Sequence, residues 1–233
     1  MSSEEKEKLR AKFMADVSHD MKTPLNAVIG FTSVLLQDKD ELGAEKARQL
    51  DLVYKSAHRL LERVDALTEF FRLQAGVIGP EADWFSPRQL IEETFEQFRD
   101  DAGEKGIELR IGPDPIPSRM RSASRLISRA LRELVSNAVK FTTAGVVSVD
   151  MQVEDGRVAF RVSDTGSGLS AKSLQKLAFA LGPADIYAGL GLGLALTREA
   201  ALRLDGRIEV ESQPDQGSTF TLIVELSKEN LEM

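Results

Sequence analysis

The sequence predicts an α+β protein in two parts: a hairpin of two long helices, then an α/β sandwich in which one mixed sheet is covered by helices. Three observations predict it. Apolar residues recur every three or four positions from Leu9 to about Gln37 and again from Ala47 to Phe71, the rhythm of an amphipathic helix. After the Gly- and Pro-bearing stretch AGVIGPEADWFSPRQ (75–89), helical and strand-like runs alternate. Within that second part, GVVSVDMQVEDGRVAFRVSD (145–164) alternates apolar and polar residues around Asp155-Gly156, a strong hairpin signal.

The first helix carries its stripe at Phe13, Val17, Met21, Leu25, Val28 and Leu35 and is about 40 Å long at 1.5 Å per residue. DKDELGAE (38–45) breaks the rhythm, and the second helix resumes it through Leu50, Val53, Ala57, Leu60, Val64 and Leu67. A hairpin of this length has too little interior to stand alone. Dimerising into a four-helix bundle supplies the missing partners, while packing on the rest of the chain is the competing solution. Pro24 lies inside the first helix, where it forfeits a hydrogen bond and clashes with the Asp20 carbonyl at roughly 3 kcal/mol. A bend is therefore expected in the turn that presents His19.

The hairpin is expected over residues 1–78, a linker over 79–85 and the sandwich over 86–233. Inside the sandwich a helix from Ser86 to Lys105, with Pro87 in its first turn, leads to a strand at Ile107–Ile111. A helix from about Ser122 to Phe141 precedes the hairpin of 145–164. Another, about Leu192 to Leu204, stops at Gly206 before a final pair of strands, RIEVES (207–212) and STFTLIVEL (218–226).

With 233 residues, 42% hydrophobic and 29% charged, the composition is that of an ordinary globular protein. A net charge of -7 argues against nucleic acid or an anionic membrane surface as a partner. The absence of cysteine removes disulfides, thiol catalysis and sulfur-ligated metals, and suits a reducing cytoplasm. MSSEEKEKLRAKF at the start has mixed charge and no apolar core, so neither a signal peptide nor direct membrane insertion is expected. A sensor domain, and any anchor with it, would belong to a longer chain.

Three stretches of the second part carry candidate chemistry. In RELVSNAVKFT (132–142), Glu133, Asn137 and Lys140 recur on one helical stripe. A carboxylate and an amide oxygen there are hard ligands of the kind Mg²⁺ accepts while keeping most of its waters, and Lys140 is able to meet a phosphate; the plain alternative is a solvated helix face. In SDTGSGLS (163–170), Asp164 ends a strand and is followed by Gly166 and Gly168. A carboxylate there can accept a hydrogen bond from the exocyclic amino group of a purine, with glycines admitting the flat ring; the alternative is a polar turn. In GLGLGLAL (189–196), Gly189, Gly191 and Gly193 run into a helix, whose free N–H groups make a phosphate site. A dinucleotide-binding GxGxxG fails because Leu194 stands where the last glycine is needed.

Their order is more specific than any one of them. The Asn137 stretch resembles the N box, Asp164 to Gly168 the G1 box and Gly189 to Gly193 the G2 box of the ATP-binding domain of sensor histidine kinases. GSTF (217–220) is similar to the closing glycine-threonine motif, and SHDMKTP (18–24) to the H box of the dimerisation and phosphotransfer domain. The resemblance runs from about residue 9 to 226 and implies a Bergerat-type fold binding ATP and Mg²⁺. It implies a homodimer that autophosphorylates on His19 and donates to the receiver domain of a response regulator.

One nitrogen of a neutral His19 imidazole is a nucleophile while the other holds a proton, and Asp20 is the natural acceptor of that proton. Thr23, one turn on, is implied by the resemblance to position water for a reverse phosphatase reaction. The site set is completed by Asn137 with Glu133 toward the metal, Lys140 and the G2 glycines toward the phosphates, and Asp164, Gly166, Gly168 and Thr219 around the base. Glu133 has two readings, orienting water in the metal's outer shell or acting as a base toward the histidine. His58, which lacks the following acid, threonine and proline, reads as structural. The segment LSAKSLQKLAFALGPADIYAG (169–189) replaces the family's aromatic-rich lid with a short one in which Phe179 and Pro183 are loosely placed, implying weak retention of ATP or dependence on an activating partner. Two other functions compete: a dimeric pseudokinase with a weak or vestigial nucleotide site that only docks a partner, and an ATPase that uses Glu133 to activate water.

Overall fold

The computed structural model describes residues 3–37, 42–113, 116–154, 156–181, 191–226 and 228–232. The chain forms two compact units, Met1–Ile78 and Gly79–Met233.

In the first unit α1 (Ser3–Gln37) packs along α2 (Ala44–Gln74), and an ion pair between Lys22 and Asp65 ties them. Thr32, Ala57 and Val64 are buried, the Thr32 hydroxyl donating to the Val28 carbonyl at 2.6 Å so that no donor is left open. Much of the apolar stripe stays in water, including Phe13, Met21, Val28, Phe31 and Leu60. The helix continues through Pro24 without interruption, and the Thr23 hydroxyl donates to the His19 carbonyl at 3.3 Å, adding a bond in the turn that proline disturbs.

The second unit is built on a five-stranded sheet of β2 (Ile107–Ile111), β4 (Gly145–Glu154), β5 (Arg157–Asp164), β6 (Arg207–Gln213) and β7 (Gly217–Glu225), in the order β2-β4-β5-β7-β6. Only β2 and β4 are parallel. A parallel pair needs a crossover, and it is made through β3 (Arg119–Ser122) and α5 (Ser124–Phe141). The buried face of α5 (Ile127, Ala130, Leu131, Leu134, Ala138) repeats at three and four residues and lies on the sheet beside α7 (Gly191–Arg203). Met151, Phe160 and Leu222 beneath it have no exposed surface, each contributing about 1.5–3 kcal/mol by burial. The opposite sheet face is polar, with Arg157, Arg161, Glu209 and Glu211 among its side chains.

Four features depart from the sequence reading. The helix expected from Ser86 to Lys105 is two, α3 (Pro87–Glu96) and α4 (Arg99–Lys105), because the Phe98 N–H turns to the Phe95 carbonyl at 3.0 Å and tightens the chain there. The expected linker contains β1 (Asp83–Phe85), which pairs with β3, and β3 pairs with β8 (Leu231–Glu232) in a second small sheet. Asp83 also caps α5, its carboxylate accepting from the Ser124 N–H at 3.2 Å and hydroxyl at 2.9 Å. Within the lid segment, Ala171–Leu181 is a helix, α6, packed on β6. Asp155 at the hairpin turn, and Pro183 in the lid, lie outside the described residues.

Candidate functional site

Asp164 is the last residue of β5, and Val158, Phe160 and Val162 show that its side chain falls on the buried face of the sheet. The Gly166 N–H donates to its Oδ1 at 2.8 Å, and the Ser218 N–H donates to the same carboxylate. Burial raises the Asp164 pKa above the ordinary carboxylate value, and the two N–H groups only partly offset it. Such a group is oriented by the backbone and retains lone pairs for an incoming donor.

The turn after it is fixed to the β6–β7 hairpin. The Asp215 N–H donates to the Ser167 carbonyl at 2.8 Å, and the Leu169 N–H donates to Ser212 Oγ at 2.8 Å. Gly168 between them has φ +62°, and any Cβ on it would strike the Gln213 carbonyl, so only glycine fits. The register pairs Asp164 with Ser218 and Ser163 with Thr219. Thr219 therefore lies on the open face, its hydroxyl 2.9 Å from Ser163 Oγ, and the structure does not bring it to Asp164. Ser218 occupies that place, a residue the motif reading missed although the buried Phe220 and Leu222 fix the alternation from sequence.

On α5, Glu133 and Asn137 are half-buried and Lys140 is exposed. Glu133 is ion-paired to Arg129 at 2.8 Å and packs against Gly193 so closely that a Cβ there would collide with its carboxylate. The Asn137 stripe and the glycine-led start of α7 are thus brought together. The Asn137 amide has no protein partner among the described residues, and Lys140 Nζ lies 5.1 Å from the centre of the exposed Phe141 ring. Among the described residues no three His, Asp or Glu side chains cluster to hold a metal. The donor set fits Mg²⁺ held by few protein ligands, with Asn137 free to bind and Glu133 free only on leaving Arg129. Gly191 is the first described residue of α7; Gly189 lies outside the described residues.

In the first unit the His19 and Asp20 side chains are 83% and 86% exposed, with Nδ1 3.6 Å from Oδ1. The nitrogen facing the carboxylate is therefore Nδ1, and Nε2 is directed away from it. His58 packs edge-on to Tyr54 with ring centres 4.5 Å apart.

Residues 122–228 match the family described as histidine kinase-, DNA gyrase B- and HSP90-like ATPase, and residues 9–76 the His Kinase A (phospho-acceptor) domain. The chain therefore joins a phospho-acceptor domain and an ATPase domain of the histidine kinase type. It is 30% identical over 237 residues to the signal transduction histidine-protein kinase BarA of Escherichia coli K12, covering 96% of this chain and 25% of BarA. It is 29% identical over 238 residues to the autoinducer 2 sensor kinase/phosphatase LuxQ of Vibrio vulnificus, covering 97% of this chain and 28% of LuxQ. The crystal structure of full-length ShkA in complex with AMPPNP is similar with a TM-score of 0.74 and 30% identity, over 93% of this chain and 46% of ShkA. The chain thus spans about a quarter of the length of these curated relatives. None of its described helices is long and apolar enough to cross a membrane.

Proposed function

We propose that this chain is the core of an ATP-dependent protein-histidine kinase that phosphorylates His19 and passes the group to an aspartate of a response regulator, acting as a homodimer. The observation that carries the reading is the Asp164 carboxylate, half-buried, held by two main-chain N–H groups, and close in sequence to a glycine turn. It is suited to accept the exocyclic amino hydrogen of adenine. Asn137, Lys140 and the start of α7 then serve the metal and the phosphates. Mg²⁺ held by Asn137 would supply neutralisation of the charge on the transferring group.

His19 attacks through Nε2. The Nε2–P bond forms as the γ-phosphorus bond to the ADP oxygen breaks, and the Nδ1 proton passes to Asp20. The Arg129 ion pair supports an orienting role for Glu133 over a basic one. The exposed stripe of Phe13, Met21, Val28 and Leu60 supports pairing with a second copy. LuxQ is named a kinase and phosphatase, and Thr23, one turn after His19, supports a reverse reaction here too; its hydroxyl must first leave the His19 carbonyl.

The test is incubation with γ-labelled ATP and Mg²⁺. Protein-bound label that is lost in acid, stable in base and absent from His19→Gln is expected. Absence of label in the wild-type chain would favour the docking module, and phosphate release independent of His19 the ATPase.

A further inference from the structure

We infer that Lys105 is a positioning residue for the nucleotide site, setting the register between the helix that carries Asn137 and the glycine turn that follows Asp164; this rests on the reading of that site given above. Lys105 ends α4, and its ammonium donates to three main-chain carbonyls at the end of α5: Val139 at 2.7 Å, Lys140 at 3.2 Å and Thr142 at 3.3 Å. The last carbonyls of a helix have no helical donors, and a cation there also meets the negative end of the helix dipole. The last turn of α5 holds both Lys140 and Phe141, so its fraying would disperse the phosphate-facing end of the stripe.

Lys105 leaves one carbonyl of this run to another partner. The Phe141 carbonyl accepts the Ser167 N–H at 3.4 Å and lies so near Gly166 that a Cβ there would meet it. Gly166 in turn donates to Asp164 Oδ1. A continuous run of contacts therefore leads from the Lys105 ammonium through the end of α5 to the carboxylate that would receive adenine. Lys105 itself is placed to act on the site only through these groups.

Calorimetric titration of the full chain with a non-hydrolysable ATP analogue and Mg²⁺, on wild type, Lys105→Met and Lys105→Arg, tests the inference. Lys105→Met is expected to weaken binding about three- to tenfold, and Lys105→Arg to restore it to within about twofold. In phosphorylation assays the Met variant is expected to raise the KM for ATP and keep the rate at saturation. Amide hydrogen exchange should quicken at Thr142 and Ser167 and stay unchanged across β5 and β7. Wild-type affinity in Lys105→Met, failure of arginine to restore it, or quickened exchange throughout the unit would each overturn the inference. If Lys105→Met does not fold, Lys105→Gln, which keeps a donor and drops the charge, is read in the same way. No binding by the wild-type chain would overturn the site reading itself.

Discussion

His19 and Asp20 stand on α1 with 83% and 86% of their side chains in solvent, whereas Asp164 is half-buried beneath backbone donors and costs free energy to ionise. The hairpin supplies a stiff mount and lets water set the environment of its reactive group. The sandwich unit instead builds an environment, using the β6–β7 hairpin to hold one turn in place. For the proposed activity the difference is functional. An acceptor that must meet both a nucleotide and a separate receiver domain gains from being open, while recognition of a flat base gains from desolvated, pre-oriented groups.

The largest effect is expected from His19→Gln. Labelling is expected to vanish while the dissociation constant for the ATP analogue is unchanged; a weakened affinity would show that the two sites are not separable. Next comes Asp164→Asn, expected to weaken the analogue about 10- to 100-fold without altering the circular dichroism spectrum.

Asp164→Asn also changes the response to pH. Because the folded-state pKa of Asp164 is raised, the folded protein binds the extra proton between the ordinary carboxylate value and the raised one. Unfolding free energy then falls as pH rises through that window, a slope that Asp164→Asn should remove in denaturant titrations. Affinity runs the opposite way: it depends on the ionised form and should decline on acidification earlier than an ordinary aspartate would dictate, relative to the Asn control.

Gly168→Ala, which combines positive φ with a collision at the Gln213 carbonyl, is expected to lower stability of the second unit by about 2 kcal/mol, read as a shift in Tm. The smallest effect is expected on the open hairpin. Lys22→Ala removes a surface ion pair and should cost about 0.5 kcal/mol or less, vanishing in high salt.

What the sequence discloses follows the range of the interaction. The hairpin helices and the β4–β5 and β6–β7 pairs are legible because their periodicity is local and continuous. β3 and β8 are not, since a four-residue and a two-residue strand find each other across more than a hundred positions with no pattern of their own. The break at Phe98 has no glycine or proline to announce it. Around the site, Asp164 and its glycines stand out because turn chemistry restricts residue type. Lys105 and the Arg129–Glu133 pair do not, because a lysine or an i,i+4 ion pair looks the same on any solvated helix. Thr219 shows a motif misleading by one residue, where strand alternation would have chosen Ser218.

That one-residue distinction bears on how this stretch of chain can change. The register of β7 acts as a gauge: a slip of one residue in its pairing with β5 and β6 would exchange the Ser218 and Thr219 faces and turn Phe220 outward. Asp215, at φ +57° and donating its N–H to Ser167, is the position in the β6–β7 turn least free to change.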